Sequence, residues 1–216
     1  MKPALGRFHV ITDTTLQDRF SHVDLARLAA AGGADAVQFR EKGAWSTRAL
    51  VETAIALRRT LEGTRVALVV DDRVDVALAA GVPAVHIGRD DLDVATARRV
   101  LGADALIGGT ANSLAEARRV AATDVDYLGV GPVFGTRSKA NPAAPLGLDG
   151  FQAIVRAVPK PVVAIGSVTA ERVPALLDAG AHGVAVISAV VCQPDPAAAA
   201  REFREAIDAW LGARAA

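Results

Sequence analysis

The stretch AVQFREK, at positions 36 to 42, passes from apolar to charged residues within one short run. Such a run is typical of a buried strand, but its last five residues include four polar side chains. Two interpretations fit: an exposed turn, or a buried strand that ends here and delivers its last side chains into a site. The rest of the chain favours the second interpretation, because apolar runs with polar ends recur along it.

Eight short apolar runs alternate with amphipathic helical stretches along the whole chain. This alternation predicts parallel strands covered by helices. The predicted strands begin at Phe8, Ala36, Ala67, Ala84, Leu106, Tyr127, Pro161 and Gly183. Their ends recur about every 25 residues, which suits a βα repeat. The pattern therefore predicts an α/β fold, a single-domain (β/α)8 TIM barrel over residues 1–216, with a doubly wound open sheet as the alternative.

Local signals predict individual helix ends and one long connection. Ser113 and Glu116 form a capping-box pattern, and another helix is predicted to begin at Thr169 and to close on a C-cap glycine. The stretch from Gly135 to Gly147 is rich in Gly, Ala and Pro, so we expect a loop that acts as a mobile lid.

The composition excludes several functional classes. The 216 residues are 51% hydrophobic, and 24 basic and 24 acidic residues cancel, so no overall field attracts nucleic acid or an anionic membrane. We therefore expect small-molecule partners, bound by local clusters of charge. The single cysteine excludes an intrachain disulfide framework, and the N-terminal segment lacks the apolar core of a signal peptide. These features predict a cytoplasmic protein, and a homo-oligomer is compatible with them.

The polar residues of the opening stretch are predicted to face a site. Side chains alternate along a strand, so Gln38, Arg40 and Lys42 share one face, opposite Val37 and Phe39. The apolar pair should pack on the helices, which directs the cations into the barrel mouth. Isolated buried cations are costly, so an anionic ligand is the expected partner. In the alternative, the adjacent glutamate or a neighbouring aspartate simply pairs with the cations.

Two carboxylates follow adjacent strands, at Asp72 and Asp91. Magnesium is commonly held by one or two carboxylates together with water and substrate phosphate oxygens, so this pair is a candidate Mg2+ site. In the alternative, Asp72 caps the following helix and Asp91 is a solvated loop residue. Asp93 is the better cap candidate for the next helix, which leaves Asp91 available as a ligand.

Small and hydroxyl-bearing residues follow strands six, seven and eight. Barrel loops after strands seven and eight often bind phosphate through backbone N–H groups. The candidate residues are Thr136, Ser138, Lys139, Gly166, Ser167 and Ser188. The alternatives are a solvated loop for the lysine and tight packing for the small residues. With the metal-assisted cluster, a second anion site here predicts two phosphorylated ligands.

Several motifs, in this order, carry a resemblance to a known family. They are ITD, VQFREK, DDRVDVALAAG, VHIGRDDL, DYLGVGPVFGTRSK, AIGSVT and GVAVISAV. Over nearly its full length the chain resembles the thiamine phosphate synthases. The resemblance implies a (β/α)8 barrel that joins hydroxymethylpyrimidine diphosphate to hydroxyethylthiazole phosphate, or its carboxylated form. Thiamine phosphate and pyrophosphate are the products, the substitution is dissociative and Mg2+ is the cofactor.

The resemblance also implies roles for individual residues. The pyrimidine diphosphate is assigned to Gln38, Arg40, Lys42 and Lys139, of which the three cations are the catalytic residues. Asp72 and Asp91 are assigned to the metal. Further positions expected to contact substrate are Phe39, Glu41, Asp71, Thr110, Thr136, Arg137, Ser138, Gly166, Ser167, Ile187 and Ser188.

The chain departs from the family pattern at four positions. Asp71 replaces an asparagine expected near the pyrimidine, and a carboxylate cannot donate as an amide does. Ser167 replaces a glycine beside the thiazole phosphate, where its side chain either crowds the phosphate or donates to it. Arg89 replaces a glutamine, and Asn112 replaces a histidine.

Two rival functions are compatible with the same fold. A thiazole tautomerase resembling this family needs no magnesium and usually lacks the carboxylate pair and the diphosphate-binding cations. A non-catalytic sensor of phosphorylated ligands would not need the metal pair. The sequence offers no Cys/His or Ser/His nucleophile pair, and His86 is predicted to be a core histidine satisfied by hydrogen bonds.

Overall fold

The chain folds as a closed barrel of eight parallel strands. The computed structural model describes residues 2–136, 138 and 143–215. The strands follow one another in chain order around the barrel, and β1 closes it by pairing with β8. The predicted (β/α)8 barrel is confirmed, and the open-sheet alternative is wrong.

Each strand occupies part of an apolar run predicted from the sequence. The strands are β1 Phe8–Thr12, β2 Ala36–Phe39, β3 Ala67–Asp71, β4 Ala84–Ile87, β5 Leu106–Ala111, β6 Tyr127–Val130, β7 Val162–Ile165 and β8 Gly183–Val186. The helices are α1 His22–Ala31, α2 Thr47–Thr60, α3 Val74–Ala80, α4 Val94–Leu101, α5 Leu114–Ala121, α6 Gly147–Ala157, α7 Val173–Asp178, α8 Ser188–Val191 and α9 Pro196–Ala215.

Alternating side chains divide the apolar residues into two layers. In β2, Val37 and Phe39 pack in the large cluster between strands and helices, as predicted, while Ala36 faces the barrel interior. Each strand contributes one residue to the interior cluster: Ile11, Ala36, Val69, Ala84, Leu106, Tyr127, Val163 and Ala185. This packed layer closes the barrel below the C-terminal strand ends, so a cavity can open only above it.

Two helix starts differ in detail from prediction. Ser113 caps α5 by accepting from the Glu116 N–H, but the Glu116 carboxylate accepts from the Asn112 N–H rather than completing a capping box. The segment after Thr169 begins with a 3-10 turn at Ala170–Arg172, and α7 starts only at Val173. Proline at the second position of α7 is suited to a helix start, because its missing N–H has no partner there in any case.

The predicted lid, Gly135 to Gly147, lies partly outside the described residues, which omit positions 137 and 139–142. Its role as a lid therefore stays a prediction. Within the described ranges, no helix combines the length and the apolar character that crossing a bilayer requires.

Candidate active site

A cavity of about 950 Å³ opens at the C-terminal ends of the strands. All eight strands or the loops that follow them contribute to its lining, as the barrel geometry predicts. The predicted site residues that line it are Gln38, Arg40, Lys42, Asp71, Asp72, Asp91, Thr110, Thr136, Ser138, Gly166, Ser167, Ile187 and Ser188. The structure therefore brings most of the residues predicted from the sequence together in this cavity.

The two cations of β2 already have carboxylate partners. Arg40 is 9% exposed, and its Nη1 donates to the fully buried Asp13, while its Nε lies 3.7 Å from Asp71 Oδ2. Lys42 Nζ pairs with Asp72 and lies 3.9 Å from Asp71 Oδ2. The alternative in which neighbouring aspartates pair with these cations is thus correct. An anionic ligand would bind to cations that are held in place by carboxylates.

Phe39 and Glu41 are not among the residues that line the cavity, and their contact with substrate stays a prediction. The strand alternation turns both away from the barrel interior, and Phe39 is buried among the helices. The Glu41 side chain is 1% exposed and accepts from His22 Nε2 at 3.0 Å, from the Thr14 hydroxyl and from the Gly43 N–H. Glu41 therefore joins the loops after β1 and β2 behind the cations.

Asp72 and Asp91 converge over Gly88. A Cβ built on Gly88 would lie 2.4 Å from Asp91 Oδ2 and 3.2 Å from Asp72 Oδ1. Asp72 does not cap the next helix: α3 has Arg73 at its N-cap and no side-chain cap hydrogen bond. Asp72 instead adopts φ 60°, in the left-handed region, held by its N–H donating to the His86 carbonyl at 2.8 Å. The helix-cap interpretation is wrong for Asp72, and Asp93 caps α4 as predicted.

The carboxylates outweigh the cations at this end of the cavity. Burial, and then the charge of Asp72, raise the pKa of Asp71 to about 7, against the opposing effect of Lys42 and Arg40. Burial, the hydrogen bond with Asp72 and the charge of Asp72 raise the pKa of Asp91 to about 6. Burial would also raise the pKa of Asp72, but its hydrogen bonds with Asp91 and Lys42 lower it on balance. A site that retains protons because its carboxylates are buried and lie close together suits a divalent cation.

The donor set fits magnesium with two protein ligands. Among the described residues there is no group of three or more His, Cys, Asp or Glu side chains arranged to hold a metal. Mg2+ typically keeps several water ligands and binds one or two carboxylates together with substrate phosphates, so Asp72 and Asp91 meet that requirement.

Hydroxyl groups and tight backbone line the cavity after β6, β7 and β8, and the Ser138 carbonyl there accepts from Arg40 Nη2 at 3.4 Å. Thr136 Oγ1 and Ser138 Oγ lie 2.9 Å apart, and Thr136 Oγ1 also accepts from the Ser138 N–H at 3.2 Å. Gly166 has φ 104°, and a Cβ there would lie 2.6 Å from Pro132 Cα, so only glycine fits. Arg137 and Lys139, predicted to contact the substrates, lie outside the described residues.

The four departures from the family pattern all line the cavity. Asp71 accepts a hydrogen bond from the Gln38 side-chain amide. Ser167 has φ 47°, a left-handed backbone that favours glycine. Arg89 is half exposed, with its Nη1 3.4 Å from the Glu116 carboxylate, and the Asn112 amide donates to the Gly131 carbonyl.

Sequence analysis missed several groups around the cavity. Asp13, the partner of Arg40, is fully buried. Its position directly after β1 was the sequence signal that could have identified it as a site residue. Tyr127 lines the cavity from its place in the interior cluster. His86 is hydrogen-bonded through both ring nitrogens, as expected for a satisfied histidine, but it also faces the cavity.

Comparison with known proteins gives one consistent family. A sequence model described as Thiamine monophosphate synthase matches residues 8–190. The "Thiamine-phosphate synthase" of Salinibacter ruber is 46% identical over 96% of this chain and 91% of its own length. The enzyme of the same name from Agrobacterium fabrum is 47% identical over 96% of each chain.

A solved structure agrees with the sequence comparison. The thiamine phosphate pyrophosphorylase of Pyrococcus furiosus superposes with a TM-score of 0.85 at 37% identity, over 95% of this chain and 97% of that one. A 3-hexulose-6-phosphate synthase superposes with a TM-score of 0.65 at 18% identity, which shows the shared barrel fold alone. The chain therefore belongs to the thiamine-phosphate synthase family and is an enzyme of the transferase class.

Proposed function

We propose that the cavity joins hydroxymethylpyrimidine diphosphate to hydroxyethylthiazole phosphate, or its carboxylated form, and releases pyrophosphate. The observation that carries this assignment is the meeting of Arg40, Lys42, Asp72 and Asp91 in one cavity that also bears hydroxyl groups. The rival tautomerase requires neither the cations nor the carboxylate pair, and the rival sensor does not require the carboxylate pair. The cytoplasmic location remains part of this proposal and rests on the single cysteine, which fits a reducing compartment.

The chemistry assigned to the cations is stabilisation of the leaving group. The bond between the pyrimidine CH2 and the diphosphate oxygen breaks, and its electron pair departs with pyrophosphate. Charge grows on the diphosphate during this step, so fixed cations beside it stabilise the transition state more than the bound substrate. Arg40 and Lys42 serve this role, and Lys139 is assigned to it from the sequence.

The carboxylate partners keep these cations in position before substrate arrives. Asp13 holds the Arg40 guanidinium, and Asp72 holds the Lys42 ammonium. Groups fixed in advance require little reorganisation during the reaction, which is the main source of their catalytic effect. When bound at Asp72 and Asp91, Mg2+ would add positive charge at the diphosphate oxygens.

The second substrate is assigned to the part of the cavity that follows β6, β7 and β8. Thr136 and Ser138 supply hydroxyl donors, and Gly166, Ser167 and Ser188 surround the place expected for the thiazole phosphate. The thiazole nitrogen lone pair forms the new bond to the pyrimidine CH2. Holding the two reactants together in one cavity raises their effective concentration. The thiazole nitrogen is itself the nucleophile, so no protein nucleophile is required.

Pyrophosphate release from purified protein tests the assignment. Release that requires both substrates and Mg2+ is the expected result. Turnover of the thiazole phosphate alone would identify a tautomerase, and binding of either substrate without turnover would identify a sensor. Either of these outcomes would overturn the proposal.

A Lys42→Met variant tests the role of the cations in the same assay. The side chain is half exposed at the cavity, so its replacement should leave the fold intact. We expect kcat to fall by about 10²-fold or more, because a cation beside the leaving group is lost. An unchanged kcat would show that Lys42 does not act on the departing diphosphate.

A further inference from the structure

The ring of His86 joins two hydroxyl groups across the cavity wall. Its Nδ1 lies 3.2 Å from the Tyr127 hydroxyl, and its Nε2 lies 2.9 Å from Thr110 Oγ1. All three side chains line the cavity: His86 lies on β4, Thr110 on β5 and Tyr127 on β6. The three groups thus form one chain of hydrogen bonds that ends at Thr110.

The phenol at the start of this chain is buried and keeps its proton. Tyr127 is 1% exposed, and burial, followed by the charges of Asp71 and Asp126, raises the pKa of its hydroxyl. A buried hydroxyl must donate its proton to an acceptor. Among the side chains that the structure describes, His86 Nδ1 is the group within hydrogen-bond distance of the Tyr127 hydroxyl.

The direction of the hydrogen bond between Tyr127 and His86 determines the direction of the bond between His86 and Thr110, and with it the role of the Thr110 hydroxyl. If Tyr127 donates to Nδ1, the neutral imidazole carries its proton on Nε2. Nε2–H then donates to Thr110 Oγ1, which accepts this bond. The hydroxyl proton of Thr110 is left to donate to an acceptor in the cavity.

Two glycines make room for this arrangement. A Cβ at Gly108 would lie 2.2 Å from Tyr127 Cζ and 2.5 Å from His86 Nδ1. A Cβ at Gly129 would lie 2.7 Å from His86 Cε1. A larger residue at Gly108 would displace both rings and one at Gly129 would displace His86, so the local sequence is suited to holding them.

We infer that Tyr127 is a positioning residue that sets the His86 tautomer and thereby orients the Thr110 hydroxyl as a donor to an anionic oxygen. The identity of that oxygen as one of the departing diphosphate rests on the proposed function. The hydrogen-bond direction itself does not, since it follows from the burial of the Tyr127 hydroxyl and its contact with His86 Nδ1.

Nitrogen-15 NMR of the imidazole tests the direction without any turnover. At pH 8, with no substrate, the wild-type protein should show His86 in the Nε2–H tautomer. Tyr127→Phe, which keeps the ring and removes only the hydroxyl, should lose this preference. A wild-type Nδ1–H tautomer, or a preference unchanged in Tyr127→Phe, would overturn the inference.

Binding of inorganic pyrophosphate, measured by calorimetry in Mg2+ buffer, tests the consequence. Loss of one oriented donor should weaken binding about three- to tenfold in both Tyr127→Phe and Thr110→Val. Thr110→Ser retains the hydroxyl and should restore binding, and the affinity for hydroxyethylthiazole phosphate should stay unchanged in all three variants. Equal affinities of Tyr127→Phe and wild type for pyrophosphate would contradict the positioning role. If the protein proves inactive as a synthase while the tautomer result holds, only the assignment of the anion fails.

Discussion

At the scale of single residues, the active-site cations are compensated before any substrate binds. Asp13 has no exposed surface, and Thr15 donates to it through its backbone N–H at 2.9 Å and its hydroxyl at 2.6 Å. Arg40 supplies the remaining donor. Burying such a pair is acceptable only while both partners are present, because an unpaired buried charge is costly.

Replacing Arg40 should therefore reduce stability as well as activity. Arg40→Gln leaves the buried Asp13 without its cation, so we expect the free energy of unfolding to fall by about 3 kcal/mol. Urea denaturation measures this change. Arg89→Gln removes a half-exposed ion pair with Glu116 and serves as the control, with a change of about 0.5 kcal/mol or less. Equal losses in the two variants would show that the Arg40–Asp13 pair is not held in a buried environment.

Ser167 offers a stabilising substitution. Its φ of 47° lies in the left-handed region, which glycine adopts without steric cost. Glycine removes the steric free energy that serine pays at this backbone angle, but it also increases the conformational entropy of the unfolded chain. The steric term is the larger of the two, so Ser167→Gly should stabilise the protein by about 0.5 kcal/mol or more. Thermal denaturation provides the comparison. Ser167→Ala keeps a Cβ at the same backbone position and should show no such gain; a gain in Ala equal to that in Gly would show that the backbone angle is not the cause.

At the scale of elements, a buried pair holds three segments together behind the cations. His22, the first residue of α1, contacts Thr12 of β1 through Nδ1 at 2.7 Å and Glu41 through Nε2 at 3.0 Å. Burial lowers the pKa of His22, partly offset by its hydrogen bond with Glu41, so the imidazole stays neutral near pH 7. The Glu41 carboxylate also accepts from the Gly43 N–H, which fixes the turn after Lys42.

The contribution of His22 to stability should depend on pH. Below pH 6.5 the unfolded chain protonates this histidine while the native pKa is lowered, so the unfolded state binds more protons and wild-type stability falls on acidification. His22→Gln lacks this titration. The stability difference between wild type and His22→Gln should thus be largest near pH 7.5 and shrink toward pH 5.5, by at most about 1.4 kcal/mol per pH unit.

Urea denaturation across this pH range measures the difference. Leu25→Ala in the same helix removes a buried apolar side chain that does not titrate, so its stability loss should not vary with pH in this way. A constant difference for His22→Gln would contradict the lowered native pKa of His22.

The limits of prediction from sequence are visible in β2 and its neighbours. Strand periodicity correctly assigned Gln38, Arg40 and Lys42 to the face that lines the cavity and Val37 to the helix layer, because side-chain alternation is a local property. It also put Glu41 on the outer face, while the family resemblance placed it among the substrate contacts. The pairing of Arg40 with Asp13 was not predictable in the same way, because it depends on contacts between residues far apart in the chain and on the side-chain conformations.

At the scale of the whole molecule, barrel closure concentrates charge that cancels elsewhere. The chain carries no net formal charge, yet Asp13, Asp71, Asp72 and Asp91 gather around Arg40 and Lys42 at this end of the cavity, where Arg89 and Asp90 also line the wall. The order of the motifs predicted which strand ends would meet, since consecutive parallel strands are neighbours in a barrel. The excess of carboxylates emerged only in three dimensions, and it is the strongest physical support for a divalent cation.

The dependence of pyrophosphate release on Mg2+ concentration tests the central claim that Asp72 and Asp91 hold a metal beside the departing diphosphate. Asp91→Asn should remain folded and require at least about tenfold more Mg2+ for half-maximal rate, because one anionic ligand is lost. Asp93→Asn, two residues away, keeps an N-cap side chain for α4 and should match wild type. The same Mg2+ requirement in Asp91→Asn, Asp93→Asn and wild type would contradict the account.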